Sequence, residues 1–186
     1  DGDNMLEFVA LELNPKRDIF PKLVRYYEID ADGYQTIMWE FIPPVALEGD
    51  FVDAKVGDIN GDGVPELVVV MNLTRFGDNN SPHVFVATYD WDGTHFSEIP
   101  SASLDIGKEN KSLRCNNFQL LDQDADGEQE IVLSLGSPFR GFAIVGSSPT
   151  GLSIEKKIRP VQFLVGSGLL YVAALDYDYD GYDDVV

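Results

Sequence analysis

The stretch Asp58-Ile59-Asn60-Gly61-Asp62-Gly63-Val64-Pro65-Glu66 restricts what this chain can fold into more than any other. Oxygen side chains stand at its positions one, three, five and nine, and a glycine at six lets the backbone turn sharply enough for them to converge. Ca²⁺ takes roughly six to eight oxygens, so alternating carboxylates on a curled loop, completed by a carbonyl at position seven and by water, suit it better than Zn²⁺. The EF-hand loop opens in the same way, but it closes on a bidentate Glu at position twelve and runs into a helix. Here position twelve is Val69, and Glu66-Leu67-Val68-Val69-Val70 is β-branched and apolar with no helical polar stripe. The loop therefore feeds a strand.

The pattern recurs. Asp122-Gln123-Asp124-Ala125-Asp126-Gly127-Glu128-Gln129-Glu130 is a second copy, followed by Ile131-Val132-Leu133. Asp176-Tyr177-Asp178-Tyr179-Asp180-Gly181-Tyr182-Asp183-Asp184 is a third, followed by Val185-Val186. A fourth opens the chain, with Asp1 at position three, Asp3 at five, Asn4 at six, Glu7 at nine and Phe8-Val9-Ala10-Leu11 as its strand. Asn tolerates positive φ better than other side chains, so it can replace the glycine. The position-five residues Asp3, Asp62, Asp126 and Asp180 are 59, 64 and 54 residues apart, which marks an internal repeat. The candidate metal ligands are thus Asp1, Asp3 and Glu7 with the carbonyl of Met5, and Asp58, Asn60, Asp62 and Glu66 with that of Val64. The third set is Asp122, Asp124, Asp126 and Glu130 with the carbonyl of Glu128, and the fourth Asp176, Asp178, Asp180 and Asp184 with that of Tyr182.

An acidic loop followed by a short apolar strand, repeated about every sixty residues, resembles the calcium-binding FG-GAP and VCBS-type repeat of integrin-α-like β-propellers. Val56-Gly57-Asp58-Ile59-Asn60-Gly61-Asp62-Gly63 carries most of the likeness, which extends over the whole chain. The resemblance implies an all-β fold of propeller blades, four antiparallel strands each, with Ca²⁺ in up to four loops.

The stretches between loops fit that plan. Strands are expected at 6–11, 22–29 and 34–41, with turns at Asn14-Pro15-Lys16-Arg17 and Asp30-Ala31-Asp32-Gly33. The second unit has strands at 65–71, 83–90 and 94–99, and the third at 130–135, 141–145 and 152–158. Each unit is completed by an apolar strand entering the next loop, at 51–56, 117–121 and 169–175. The blades then divide as a partial blade over 1–50, full blades over 51–112 and 113–166, and a partial blade over 167–186. Asp32-Gly33 and Asp92-Gly93 lack the alternating oxygens and read as bare turns.

Charge supports the same account. The net charge is −19, and 14 of the 32 acidic residues lie among the candidate ligands. The remainder nearly balances the 13 Lys and Arg. No basic cluster suits a nucleic-acid phosphate backbone; Lys156-Lys157-Ile158-Arg159 reads as a solvated strand face. No run approaches the roughly 18 apolar residues of a membrane span. The single Cys115 reads as a core residue, and His83 and His95 as isolated surface or strand residues. Asn72-Leu73-Thr74, Asn79-Asn80-Ser81 and Asn110-Lys111-Ser112 match the glycosylation acceptor by pattern alone. Asp1 lies inside a loop and the last strand stops after two residues, so both ends read as cut from a longer chain.

The functional expectation is an extracellular, cell-surface or periplasmic calcium-binding module that meets a protein or glycan partner, with Ca²⁺ rigidifying its blades. The alternatives are the propeller portion of a secreted polysaccharide lyase or hydrolase, and a structural repeat of a surface or filament protein. No Ser/His/Asp set, paired His, or base beside Lys or Arg is visible, so no catalytic residue is assigned. Tyr177, Tyr179 and Tyr182 could stack on sugars, although packing against a neighbouring blade accounts for them as well.

Overall fold

Runs of Val, Ile, Leu and aromatic residues bounded by Asp-Gly turns form strands throughout. The computed structural model describes residues 5–13, 21–42, 49–73, 83–106, 113–136, 139–159, 172–175, 178 and 184–185, and these contain thirteen strands and no helix. β1 (Leu6–Leu13), β2 (Pro21–Ile29) and β3 (Gln35–Phe41) form a three-stranded sheet. β4 (Gly49–Gly57), β5 (Glu66–Leu73), β6 (His83–Trp91) and β7 (Phe96–Ile106) form a four-stranded one. β8 (Cys115–Leu121), β9 (Glu130–Leu135), β10 (Gly141–Gly146) and β11 (Ser153–Ile158) form another, and β12 (Ala174–Leu175) pairs with β13 (Asp184–Val185). Every pairing is between antiparallel strands consecutive in sequence.

Hydrogen bonding corrects one grouping. The strands entering the acidic loops do not complete the preceding unit; each pairs with the strand that leaves its own loop, so β4 pairs with β5 and β8 with β9. The loops are hairpin connections within a sheet. Their register is the same three times: Gly57 opposes Glu66, Leu121 opposes Glu130 and Leu175 opposes Asp184. The residue before position one always faces position nine.

The sheets stack face on face. β5 is buried along its whole length, and successive side chains of a strand point to opposite faces, so it feeds two cores at once. Leu67, Val69 and Met71 pack with Val24, Tyr26, Tyr89 and Phe96 towards the first sheet. Val68 and Val70 pack with Phe118, Ile131, Leu133 and Val145 towards the third. On the far side of the third sheet, Leu121, Val132 and Ile144 gather with Val172. The leading strands β4 and β8 lie side by side, as do β8 and β12.

Two asparagines tie the sheets to what lies next to them: Asn72 of β5 reaches β8, and Asn117 of β8 reaches the segment just before β12. Asn72 accepts from Cys115 N at 2.8 Å and donates to Cys115 O at 2.9 Å. Asn117 accepts from Val172 N at 3.0 Å and donates to Val172 O at 2.7 Å. Asn72 is therefore a buried structural residue and not a glycosylation acceptor; Asn79 and Asn110 lie outside the described residues. Cys115 is buried in the core, where desolvation pushes its thiol up to about 12. β7 runs on to Ile106, past the expected end at Ile99, because Pro100 falls where the β6–β7 register shifts, the place in a sheet where a missing N–H costs least. Lys156, Lys157 and Arg159 are exposed, as a solvated edge requires.

Candidate metal centres

The loop between β4 and β5 is held open by its own backbone. Gly61 N and Gly63 N each donate to Asp58, to Oδ1 and Oδ2 at 2.8 Å. Asp62 N donates to Asn60 Oδ1 at 2.9 Å, and Val64 N to Asp62 Oδ1 at 2.8 Å. These bonds turn the side chains inward, and carboxylate oxygens of Asp58, Asp62 and Glu66 come within 4.8 Å of one another. Glu66 is the base of the cluster: 1% exposed, it accepts from Ile59 N at 2.9 Å and from Asn60 Nδ2 at 3.1 Å.

The loop between β8 and β9 repeats the construction. Asp122 accepts from Asp126 N and Gly127 N at 3.2 and 3.1 Å, and buried Glu130 accepts from Gln123 N at 2.8 Å. The converging oxygens are those of Asp122, Asp124 and Glu130. Asp126 stands outside this trio, with Oδ1 accepting from Glu128 N at 2.9 Å.

Backbone conformation shows a demand that the position-six glycine alone does not reveal. Position six is left-handed, with φ 83° at Gly63 and 94° at Gly127, and position four is left-handed as well. There the first loop has Gly61 at φ 71°, but the second has Ala125 at φ 62°. Gly61 is needed for a further reason, since a Cβ there would come within 2.9 Å of Glu128 Cγ on the neighbouring loop. The two loops touch, and Gln129 N donates to Asp58 O at 2.9 Å.

Electrostatics follow from placing these carboxylates together. Burial, reinforced by Asp62, Asp90 and Asp58, pushes the Glu66 carboxyl up to about 7. The bond from Ile59 N opposes this by favouring the carboxylate. Glu130 is raised in the same way by burial, with Asp124, Glu155 and Asp126 adding to it. Asp90 is itself raised, by burial and by Asp62. Such sites favour either a proton or a cation. All their donors are hard oxygens, the set suited to a hard divalent ion.

Asp90 and Glu155 were missed in the sequence because they lie on β6 and β11, far from the repeat in the chain. Pairing the expected strands 65–71 and 83–90 in antiparallel register would have found Asp90, since Leu67 opposes Tyr89. The other candidates divide. Glu7 sits in β1 opposite Glu28, Met5 and Val64 are exposed, and Asp178 is exposed. Asp184 opens β13. Asp1, Asp3, Asp176, Asp180 and Tyr182, together with Tyr177 and Tyr179, lie outside the described residues. Asp30 and Asp92 are bare turns: Asp30 Oδ1 accepts from Asp32 N and Tyr34 N, and Asp92 Oδ1 from Thr94 N and His95 N, all at 2.9 Å.

No family model and no curated protein matches the chain.

Proposed function

We propose that the chain is a calcium-binding module of the β-propeller type, built from repeats similar to FG-GAP and VCBS units, in which bound Ca²⁺ locks successive blades. The observation that carries this reading is the repeated hairpin: the same register and inward-turned carboxylates occur on consecutive sheets, each closed beneath by a buried Glu. Asp58, Asp62 and Glu66, and likewise Asp122, Asp124 and Glu130, would hold the ion, with the carbonyls of Val64 and Glu128 and water completing the oxygen shell. Stacked four-stranded antiparallel sheets with leading strands side by side are what such blades require, and they support this reading. The setting is extracellular, cell-surface or periplasmic, where free calcium is high enough to fill weak sites, and the module presents a protein or glycan partner with a rigid surface.

Thermal melts in 2 mM calcium, near the upper end of the roughly 10⁻⁴ to 10⁻³ M affinity range of extracellular calcium modules, against excess EDTA test the reading. At ten times Kd each site adds about 1.4 kcal/mol, so two sites should raise Tm by several degrees. Magnesium should do less, because it resists giving up its water. An unchanged melt would leave the loops as acidic turns and remove the reading.

A further inference from the structure

A cleft of about 540 Å³ opens where the first three sheets meet, within the size range of small-ligand pockets, roughly 300–1,000 Å³. Its floor is aromatic. Tyr26, Trp91 and Phe96 meet at ring-centroid distances of 4.9 to 5.2 Å in edge-on and tilted contacts, and Tyr26 and Phe96 are buried, which fixes them. The Trp91 indole Nε1 is buried there with no hydrogen-bond partner among the described residues. Glu7, Lys55, Gln119 and Gln129 stand around the cleft on β1, β4, β8 and the second acidic loop.

This lining selects by chemistry. An anion gains little, because Glu7 offsets Lys55 and Lys55 Nζ already lies 3.2 Å from Asp53. A wholly apolar ligand would strand two amides that each need donors and acceptors. Gln119 has a bond of only 3.4 Å, to Val172 O. An aromatic floor under a ring of mixed polar groups suits a ligand with one C–H face and many hydroxyls. We infer that the cleft binds a neutral mono- or disaccharide, seated on Trp91 and hydrogen-bonded by Gln119 and Gln129.

The cleft also adjoins the metal loops. Pro65 at its rim is position eight of the first loop, and Gln129 is position eight of the second, tied to the first through Asp58 O. Ion binding therefore orders the rim and tightens sugar binding, a coupling that rests on the calcium reading; the sugar site itself does not.

The test titrates the 186-residue chain with glucose, galactose, mannose, N-acetylglucosamine, lactose and cellobiose, read by saturation-transfer NMR and by the Trp91 indole N–H resonance. It is run in calcium and then in EDTA. At least one sugar should show transfer and move the Trp91 signal, and Gln119→Ala with Gln129→Ala should weaken binding about tenfold or more at unchanged Tm. No transfer from any sugar, or transfer that leaves Trp91 unmoved, overturns the site whether or not the variant folds; so does binding of short peptides in place of sugars. Equal sugar affinity in calcium and EDTA keeps the site and rejects the coupling, while the calcium melt decides the metal reading separately.

Discussion

At the scale of single residues, Glu66 governs the acid–base behaviour of the first loop. Its folded-state value near 7 lies above the ordinary carboxyl value of about 4.5, so between those values the metal-free folded state holds a proton that the unfolded chain has lost. Its contribution to stability is fully present below about pH 4.5 and is lost as pH rises through about 7. Without calcium, stability should therefore fall between those values, as urea titrations at successive pH will show. With calcium the proton competes with the ion, so the calcium-induced rise in Tm should shrink on acidification below about pH 7. Glu66→Gln separates the two effects: in EDTA at pH 8 it should stabilise by on the order of 1 kcal/mol, and in calcium it should lose most of the metal-induced gain. Ala125 makes a smaller prediction. It holds a left-handed φ that Gly61 occupies without strain, so Ala125→Gly should stabilise by about 0.5–1 kcal/mol in the same urea assay, the relief of strain exceeding the added backbone entropy.

At the scale of elements, the hairpins carry the acidic loops and the asparagine ties hold the sheets to their neighbours. Asn72→Ala would leave Cys115 N–H and C=O buried without their partner, at a cost of about 2–3 kcal/mol, measured as a lower urea midpoint at unchanged slope. The strands themselves were legible. Apart from the far end of β7, period-two and continuous apolar runs located β1 to β11 to within a few residues, because a buried strand must be apolar on both faces and a turn must contain residues that tolerate it. The far end of β7 was not legible, since Pro100 reads as a terminator until the β6 register shows that it falls at a shift.

At the scale of the whole molecule, stability should be graded across the stack. β5 and β9 are buried throughout and central in their sheets, whereas β3 is an edge strand with Ile37 49% exposed. Hydrogen exchange should find β5 and β9 amides opening only with global unfolding and β3 amides opening locally at far lower free energy. Calcium should then raise protection most at β4–β5 and β8–β9, the strands that its loops join.

The sequence alone determined the all-β class, the acidic hairpin loops at 58–66 and 122–130 and the bare turns at Asp30 and Asp92, because each depends on neighbours within about ten residues. Only the tertiary structure decided the rest. It paired each entering strand with the one leaving its loop, and it brought Asp90 and Glu155 to bear on Glu66 and Glu130. It turned Asn72 from a glycosylation pattern into a tie between sheets, and it joined residues of three sheets around one cleft. The physical reason is common to all of these. A strand's local pattern fixes which faces are buried, but register and stacking, set by interactions tens of residues apart, fix what each face meets.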